Sequence, residues 1–198
     1  MGVFRKELKK LSDEELMRLL STHRKNAALK ELHARYAKRI LGFFIRMFIG
    51  DVDKAQDFTQ DLFMRILEKH EQFNPERKFY SWMFTIASNM CKTEFRKQPN
   101  LSISDKIAEE NTSSWDEIHF DKAVFHDQLK QAIDVLEEHH KLTFVLRYLE
   151  ELPIKEIAQI TETSEGTVKS RLFYATKKIT ERLEVFNPKV TNELFKLN

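Results

Sequence analysis

The chain predicts an all-α protein: two small helical domains joined by an acidic linker, the second containing a helix-turn-helix. Three observations carry this. Four Gly and four Pro in 198 residues, against abundant Leu, Lys, Glu and Phe, favour helices over a turn-rich β fold. Apolar residues recur at helical spacing on both sides of a central segment. That segment, residues 98–121, holds six acids and one Lys with Pro99, Asn100, Ser102, Ser104, Asn111, Ser113 and Ser114, and it reads as a linker. Ile103, Ile107, Trp115 and Ile118 interrupt it as anchors for docking. The expected organisation is a helical domain at 1–97, the linker at 98–121 and a second helical domain at 122–198.

Ser12-Asp-Glu-Glu15 has the form of a capping box, with Leu16, Leu19 and Leu20 behind it. A long helix is expected from about Asn26 to Ile49, with Leu29, Leu32, Tyr36, Ile40, Phe43, Phe44, Met47 and Phe48 inward. Gly50-Asp51 breaks it. A third helix is expected from Asp53 to about Lys69, with Phe58, Leu62, Phe63, Ile66 and Leu67 inward and Gln56, Asp57, Gln60, Asp61 and Arg65 outward. Periodicity alone makes that outer face solvated. A loop from Phe73, rich in aromatic and basic residues, leads into a helix starting near Ser81 and ending in Lys92, Arg96 and Lys97. Rings beside cations suit single-stranded nucleic acid, whose bases stack while Lys and Arg follow the phosphates. Trp82 and Phe84 read as core, whereas Phe73 and Tyr80 fit either role.

From Pro153 to Leu172 the pattern is a short helix, a tight turn and a second helix capped by Thr163 or Ser164. Val168, Leu172, Ala175, Ile179 and Leu183 form one apolar stripe. Thr167, Lys169, Ser170, Arg171, Phe173, Tyr174, Lys177 and Lys178 occupy the other faces. One side seats such a helix on its domain while the other enters a major groove. An amphipathic hairpin with a solvated basic face is the plainer reading. Net charge is only +2, but residues 77–97 carry five Lys/Arg against one Glu and residues 165–182 five against two acids.

Enzyme classes find little support. No Gly-rich phosphate loop or His-Glu-x-x-His pattern occurs, and Glu137, Glu138, His139 and His140 lack ligand spacing on one helix face. No metal site, cofactor or catalytic residue is expected. The single cysteine, Cys91, forms no internal disulfide and reads as buried filler. The N-terminus lacks a signal-peptide core and no apolar run spans a bilayer, so a cytoplasmic location is expected.

Three blocks resemble the extracytoplasmic-function (ECF) class of bacterial sigma factors, in the sigma-70 family. They are Asp53 to Arg65, Phe79 to Asn89 running on to Lys97, and Phe144 to Tyr148 followed by the helix-turn-helix. Together with Leu11 to Met17 they cover nearly the whole chain outside the linker. The resemblance implies a non-enzymatic factor that binds core RNA polymerase and directs promoter recognition and transcription initiation. It implies polymerase contacts at Asp57, Gln60, Asp61 and Arg65. It implies minus-ten contacts by Phe73, Asn74, Arg77, Lys78, Phe79, Tyr80, Asn89, Lys92 and Arg96. It implies minus-thirty-five contacts by Thr167, Ser170, Arg171, Phe173, Tyr174 and Lys177. The acidic linker would thread toward the polymerase channel. Promoter DNA is the expected ligand, with no homo-oligomer required, and an anti-sigma protein, commonly membrane-bound, the expected inhibitor. Phe173, Tyr174 and Thr176 stand where the family usually carries basic residues or His, which leaves apolar contacts such as a ring on a thymine methyl. Glu151 and Thr161 replace common glycines. A helix-turn-helix repressor would account for residues 153–182 but not for the Asp57/Gln60 face or the aromatic loop.

Overall fold

The computed structural model describes residues 8–97 and 122–183. The segment expected to be a linker lies outside them. Among the described residues the elements are helical, with no strand: α1 Asp13–Leu19, α2 Lys25–Met47, α3 Val52–Glu68, a 3₁₀ turn His70–Gln72, α4 Phe79–Lys97, α5 Lys122–Asp134, α6 Glu138–Phe144, α7 Ile154–Thr161 and α8 Glu165–Leu183. No helix among them is long and apolar enough to cross a membrane.

Local chemistry sets the helix ends. The capping box forms as expected: the Glu15 amide donates to Ser12 Oγ at 3.1 Å, and the Ser12 amide donates to the Glu15 carboxylate at 2.6 Å. α3 starts one residue earlier than its expected Asp53, because Asp51 caps it by accepting the Lys54 amide at 3.0 Å. α4 also begins earlier, at Phe79 rather than Ser81. Its first amide donates to the Glu14 carboxylate of α1 at 3.0 Å, a long-range cap that no local pattern announces. The break after α2 falls on Ile49 (φ 56°) and Gly50 (φ 81°), both left-handed, with the Gly50 amide closing onto the Ile45 carbonyl at 2.9 Å.

The first four helices share a core of rings. Phe43, Phe44, Phe79 and Phe84 are fully buried; Phe43 meets Phe84 edge-on at 5.2 Å, and Phe44 and Phe48 both pack on Phe58. Each buried ring contributes roughly 1.5–3 kcal/mol, and each edge contact about 0.5–1.5 kcal/mol more. Cys91 sits in this core; burial first, then nearby acids, raise its thiol pKa well above the ordinary range, so it behaves as an apolar filler.

In the second group, Ile157, Ala158 and Ile160 of α7 and the stripe Val168, Leu172, Ala175, Ile179 and Leu183 of α8 are all buried, as the spacing predicts. Ser164, one of the two candidate caps, takes the role: its Oγ accepts the Thr167 amide at 3.1 Å. The turn is left-handed at Glu162 (φ 58°) and not at Thr161, whose hydroxyl donates back to the Ile157 carbonyl at 2.8 Å. Glu151 does adopt a glycine-like φ of 59°. Between α6 and α7 the chain widens into a π-helical turn, Val145–Leu149, closed by the Glu150 amide on the Val145 carbonyl at 3.0 Å.

The two groups of helices pack together. Glu150, with its side chain only 1 % exposed, receives Arg39 Nε at 2.6 Å and Arg46 Nη2 at 2.8 Å from α2. Lys78 at the start of α4 pairs with Glu156 of α7 at 2.9 Å, and Ser81 donates to the same carboxylate.

Candidate polymerase and nucleic-acid interfaces

α3 is anchored by buried Ala55, Thr59, Leu62, Phe63 and Ile66. That anchoring leaves Gln56, Asp57, Gln60, Asp61 and Arg65 exposed, as the periodicity predicts. The same face carries Met64 at 53 % exposure, one turn beyond Gln60 and Asp61 and two beyond Asp57. A polar ring around an exposed methionine is the composition of a protein-binding face. Nothing in the sequence singles out Met64, because one apolar residue on an outer face carries no periodic signal.

The aromatic loop divides into two sets. Phe73 and Phe79 are not available for stacking: Phe79 is fully buried against Tyr36 and Trp82, and Phe73 closes over both Phe79 and Trp82. Their assignment as base contacts is therefore corrected; burying the rings stabilises the core more than leaving them in water would. Asn74 uses its side chain locally, accepting the Glu76 amide at 2.9 Å in a turn that presents Arg77 and Lys78 outward. Tyr80 is half-buried; desolvation first, then the Glu150 charge, raise its phenol pKa.

Trp82, expected to be core, is only partly buried. It lines a recess of about 190 Å³ with Arg65, Lys69, Gln72, Thr85, Ile86 and Asn89. The recess joins one aromatic wall, two cations and two side-chain amides able to hydrogen-bond a base edge. Arg65 thus stands between the α3 face and the recess. Lys69, Gln72 and Thr85 were missed because the recess forms only when α3 and α4 pack. Beyond it, Lys92 donates to the Asn89 amide oxygen at 3.4 Å and to the Thr161 carbonyl of α7 at 3.2 Å. Burial lowers the Lys92 pKa, and neighbouring Arg171 and Arg96 add to that against Glu162. Arg96 is exposed at the helix end.

On α8, Thr167, Lys169, Ser170, Phe173, Tyr174, Lys177 and Lys178 are exposed and Arg171 is half-exposed. Phe173 (56 %) and Tyr174 (53 %) are among the most exposed large apolar side chains described, and they meet edge-on at 5.5 Å. Two rings in water beside Arg171 and Lys177, on a helix whose opposite side is sealed, make a surface shaped for a ligand with apolar and anionic parts. Thr176 turns inward and donates to the Leu172 carbonyl at 2.8 Å, so it belongs to the seat of the helix.

Glu137, His139 and His140 come together, contrary to the expected lack of spacing. Glu137 lies at the helix cap, where helical geometry does not apply, and its Oε2 is 3.5 Å from His139 and 3.8 Å from His140. Lys178 sits 3.6 Å from the same carboxylate, and Arg171 adds positive charge. Both cations disfavour a divalent metal there. Desolvation first, then positive neighbours, lower both imidazole pKa values. Deeper in the same half, Lys141 is nearly buried and pairs with Asp134; burial lowers the lysine pKa and raises that of Asp134.

The two halves match two sequence profiles of one family: Sigma-70 region 2 over residues 32–100 and Sigma-70, region 4 over residues 126–179. The chain belongs to the sigma-70 family of RNA polymerase sigma factors. It is a non-enzymatic transcription factor that acts with RNA polymerase in promoter recognition and initiation. Its relatives include the RNA polymerase sigma-H factor of Pseudomonas aeruginosa, 29 % identical over 161 residues (76 % of this chain, 83 % of that one). The ECF RNA polymerase sigma factor SigW of Bacillus subtilis is 28 % identical over 159 residues (75 % and 84 %). In fold the chain resembles the sigma factor RpoE of Bartonella quintana, solved in complex with the anti-sigma factor NepR (TM-score 0.62, 22 % identity, covering 80 % of this chain and 98 % of that one). It also resembles CnrH in complex with the cytosolic domain of CnrY (TM-score 0.65, 20 % identity, 88 % and 99 %).

Proposed function

We propose that this sigma factor is a cytoplasmic ECF-type factor that divides promoter recognition between its two halves. Residues 1–97 bind core polymerase and hold the melted minus-ten element, residues 98–121 link, and residues 122–198 read duplex DNA at the minus-thirty-five element. The carrying observation is the α8 surface: Thr167, Ser170, Arg171, Phe173, Tyr174 and Lys177 face outward over a fully buried stripe. Arg171 can bridge a guanine edge or hold a phosphate, and the two rings suit thymine methyls.

Asp57, Gln60 and Asp61, with Met64 among them, dock on the polymerase. Non-template DNA follows Arg77, Lys78, Tyr80, Asn89, Lys92 and Arg96, and one unstacked base enters the Trp82/Asn89 recess. Stacking there is worth about 1–3 kcal/mol, comparable to the cost of extruding a base. One solved structure of this fold is bound to an anti-sigma factor, NepR, and another to the cytosolic domain of CnrY; an anti-sigma protein is accordingly the proposed inhibitor. Sequencing transcripts made on genomic DNA by core polymerase with and without this protein tests the reading. A set of starts that share two spaced elements and depend on the protein is expected; starts unchanged by its addition refute it.

A further inference from the structure

The cations that make the Glu137, His139 and His140 cluster unsuitable for a metal suit it to an anion. Three nitrogens converge there on one carboxylate: His139 Nε2 at 3.5 Å and His140 Nδ1 at 3.8 Å from Glu137 Oε2, and Lys178 Nζ at 3.6 Å from Oε1. Charge-assisted hydrogen bonds span about 2.7–2.9 Å, so none of these contacts is closed. The Glu137 side chain, 59 % exposed, can swing out into water. His140 Nδ1, by contrast, is buried with no hydrogen-bond partner among the described residues. Such an atom has lost its water and gained nothing, and in a native fold it calls for a ligand or another explanation.

Position decides which anion. The His140 and Tyr174 ring centroids are 6.1 Å apart, and Arg171 stands near enough to both imidazoles to bear on their charge. Arg171 and Tyr174 belong to the proposed minus-thirty-five surface. A recognition helix in a major groove leaves the elements beside it against the sugar-phosphate backbone. The other charged groups around α6 are engaged elsewhere. Lys141 turns inward to Asp134, and Glu138 lies on the side nearest Cys91 of α4. From α2, Arg39 and Arg46 hold Glu150; from the π turn, Arg147 donates to the Leu152 carbonyl at 3.2 Å.

We infer that His139, His140 and Lys178 form a site for one backbone phosphate of duplex DNA beside the minus-thirty-five element, and that the two imidazoles take up protons from solvent as the phosphate enters. The inference rests on the proposed duplex-reading role of α8. In the free chain, desolvation first, then positive neighbours, hold both rings below their ordinary pKa. An entering phosphate works the other way, since an adjacent negative charge favours the imidazolium. The DNA-bound protein therefore carries more protons than the free one. By linkage, affinity rises as pH falls through the histidine range, in which a phosphodiester keeps its charge. A histidine pair in place of permanent cations makes this contact conditional on pH.

The test uses holoenzyme and a fluorescein-labelled duplex carrying one of its promoters, with affinity read by anisotropy from about pH 8 to about pH 6. One pKa unit gained on binding is about tenfold in affinity, so the wild type should bind about tenfold tighter at the acid end. His139→Gln/His140→Gln should lose that gain. His139→Arg/His140→Arg should bind tightly at both ends, with a flat profile. A neutral methylphosphonate at the contacted position of the DNA should flatten the wild-type profile as well. Circular dichroism at each pH checks folding; if the glutamine pair does not fold, the arginine pair and the modified DNA carry the test. An equal gain in the wild type and the glutamine variant overturns the site, as does an arginine variant that keeps the gain, or a gain that survives methylphosphonate substitution at every position around the element. The reading beneath it is judged separately. If the wild type at neither pH prefers its promoter to a duplex with the minus-thirty-five element scrambled, α8 does not read DNA and the site falls with it.

Discussion

Glu162 closes the helix-turn-helix in a conformation that side chains resist, and replacing it should strengthen the fold. Its backbone at φ 58°, ψ 44° is left-handed, and its amide caps α7 through the Gln159 carbonyl at 3.3 Å. An L-residue with a Cβ gives up about 1–2 kcal/mol there. Glycine removes that strain but orders a more flexible unfolded chain, which returns about 0.5–1 kcal/mol. The net gain for Glu162→Gly is therefore about 0.5–1 kcal/mol. Glu151→Gly, at φ 59° on another turn, should add a similar amount. Urea titration is the assay: the midpoint should rise at constant slope. Two controls isolate the backbone effect. Glu162→Gln keeps the strain while removing the charge and should gain little. Gly50→Ala, at φ 81° with only the Lys130 ammonium near the added Cβ at 3.7 Å, should lose about 1 kcal/mol. If Gly50→Ala destabilises while Glu162→Gly leaves the midpoint unchanged or lowers it, the strain argument at the turn is wrong.

Four further outcomes are expected. Asp57→Arg with Gln60→Ala should abolish co-purification with core polymerase while changing stability by no more than about 0.5 kcal/mol, since both positions are exposed; wild-type recovery would show that α3 docks elsewhere. In holoenzyme, Trp82→Ala should weaken transcription from duplex promoters more than from a preformed bubble, with Trp82→Phe restoring part of it; equal losses on both templates would remove the ring from strand capture. Arg171→Ala should cost about 1–3 kcal/mol at one promoter position if it reads a base, or lower the salt slope by about one if it holds phosphate, whereas Phe173→Ala should leave the slope unchanged; promoter binding insensitive to both at every salt would deny α8 its role. Finally, the lowered pKa values of His139 and His140 mean that the unfolded chain binds more protons near and below pH 6.5. Their penalty is thus fully present below the folded pKa values and relieved as pH rises through the unfolded ones. Urea midpoints should fall from pH 7.5 to pH 5.5, and by less in a His139→Gln/His140→Gln variant.

What could be read from the chain was local or periodic. The Ser12 capping box, the α8 stripe and the polar face of α3 follow from spacing alone, because a helix sealed on one side forces its remaining residues outward. What depended on distant partners could not be read. Phe79 looks like a stacking platform until Tyr36 and Trp82 enclose it, and Trp82 looks like core until the neighbouring helix leaves a recess beside it. Glu150 carries no sign in sequence that two arginines more than a hundred positions earlier neutralise it. Glu137 and the two histidines defeat a helical-face argument because one of them stands outside the helix. The turn is built differently from one with glycine at position 161: Thr161 satisfies its own hydroxyl within α7, and Glu162 takes the left-handed angle.

The fully buried Cys91 gives the protein an internal clock. No thiol reagent reaches a sulfur enclosed among the N-terminal helices, and burial holds its pKa high for as long as it stays enclosed. Modification then proceeds only through excursions that expose the heart of the N-terminal helices, so its rate counts those excursions. Polymerase, promoter strand or an inhibitory partner each alters that count by its own hold on the same helices, and one unlabelled protein can be timed against all three.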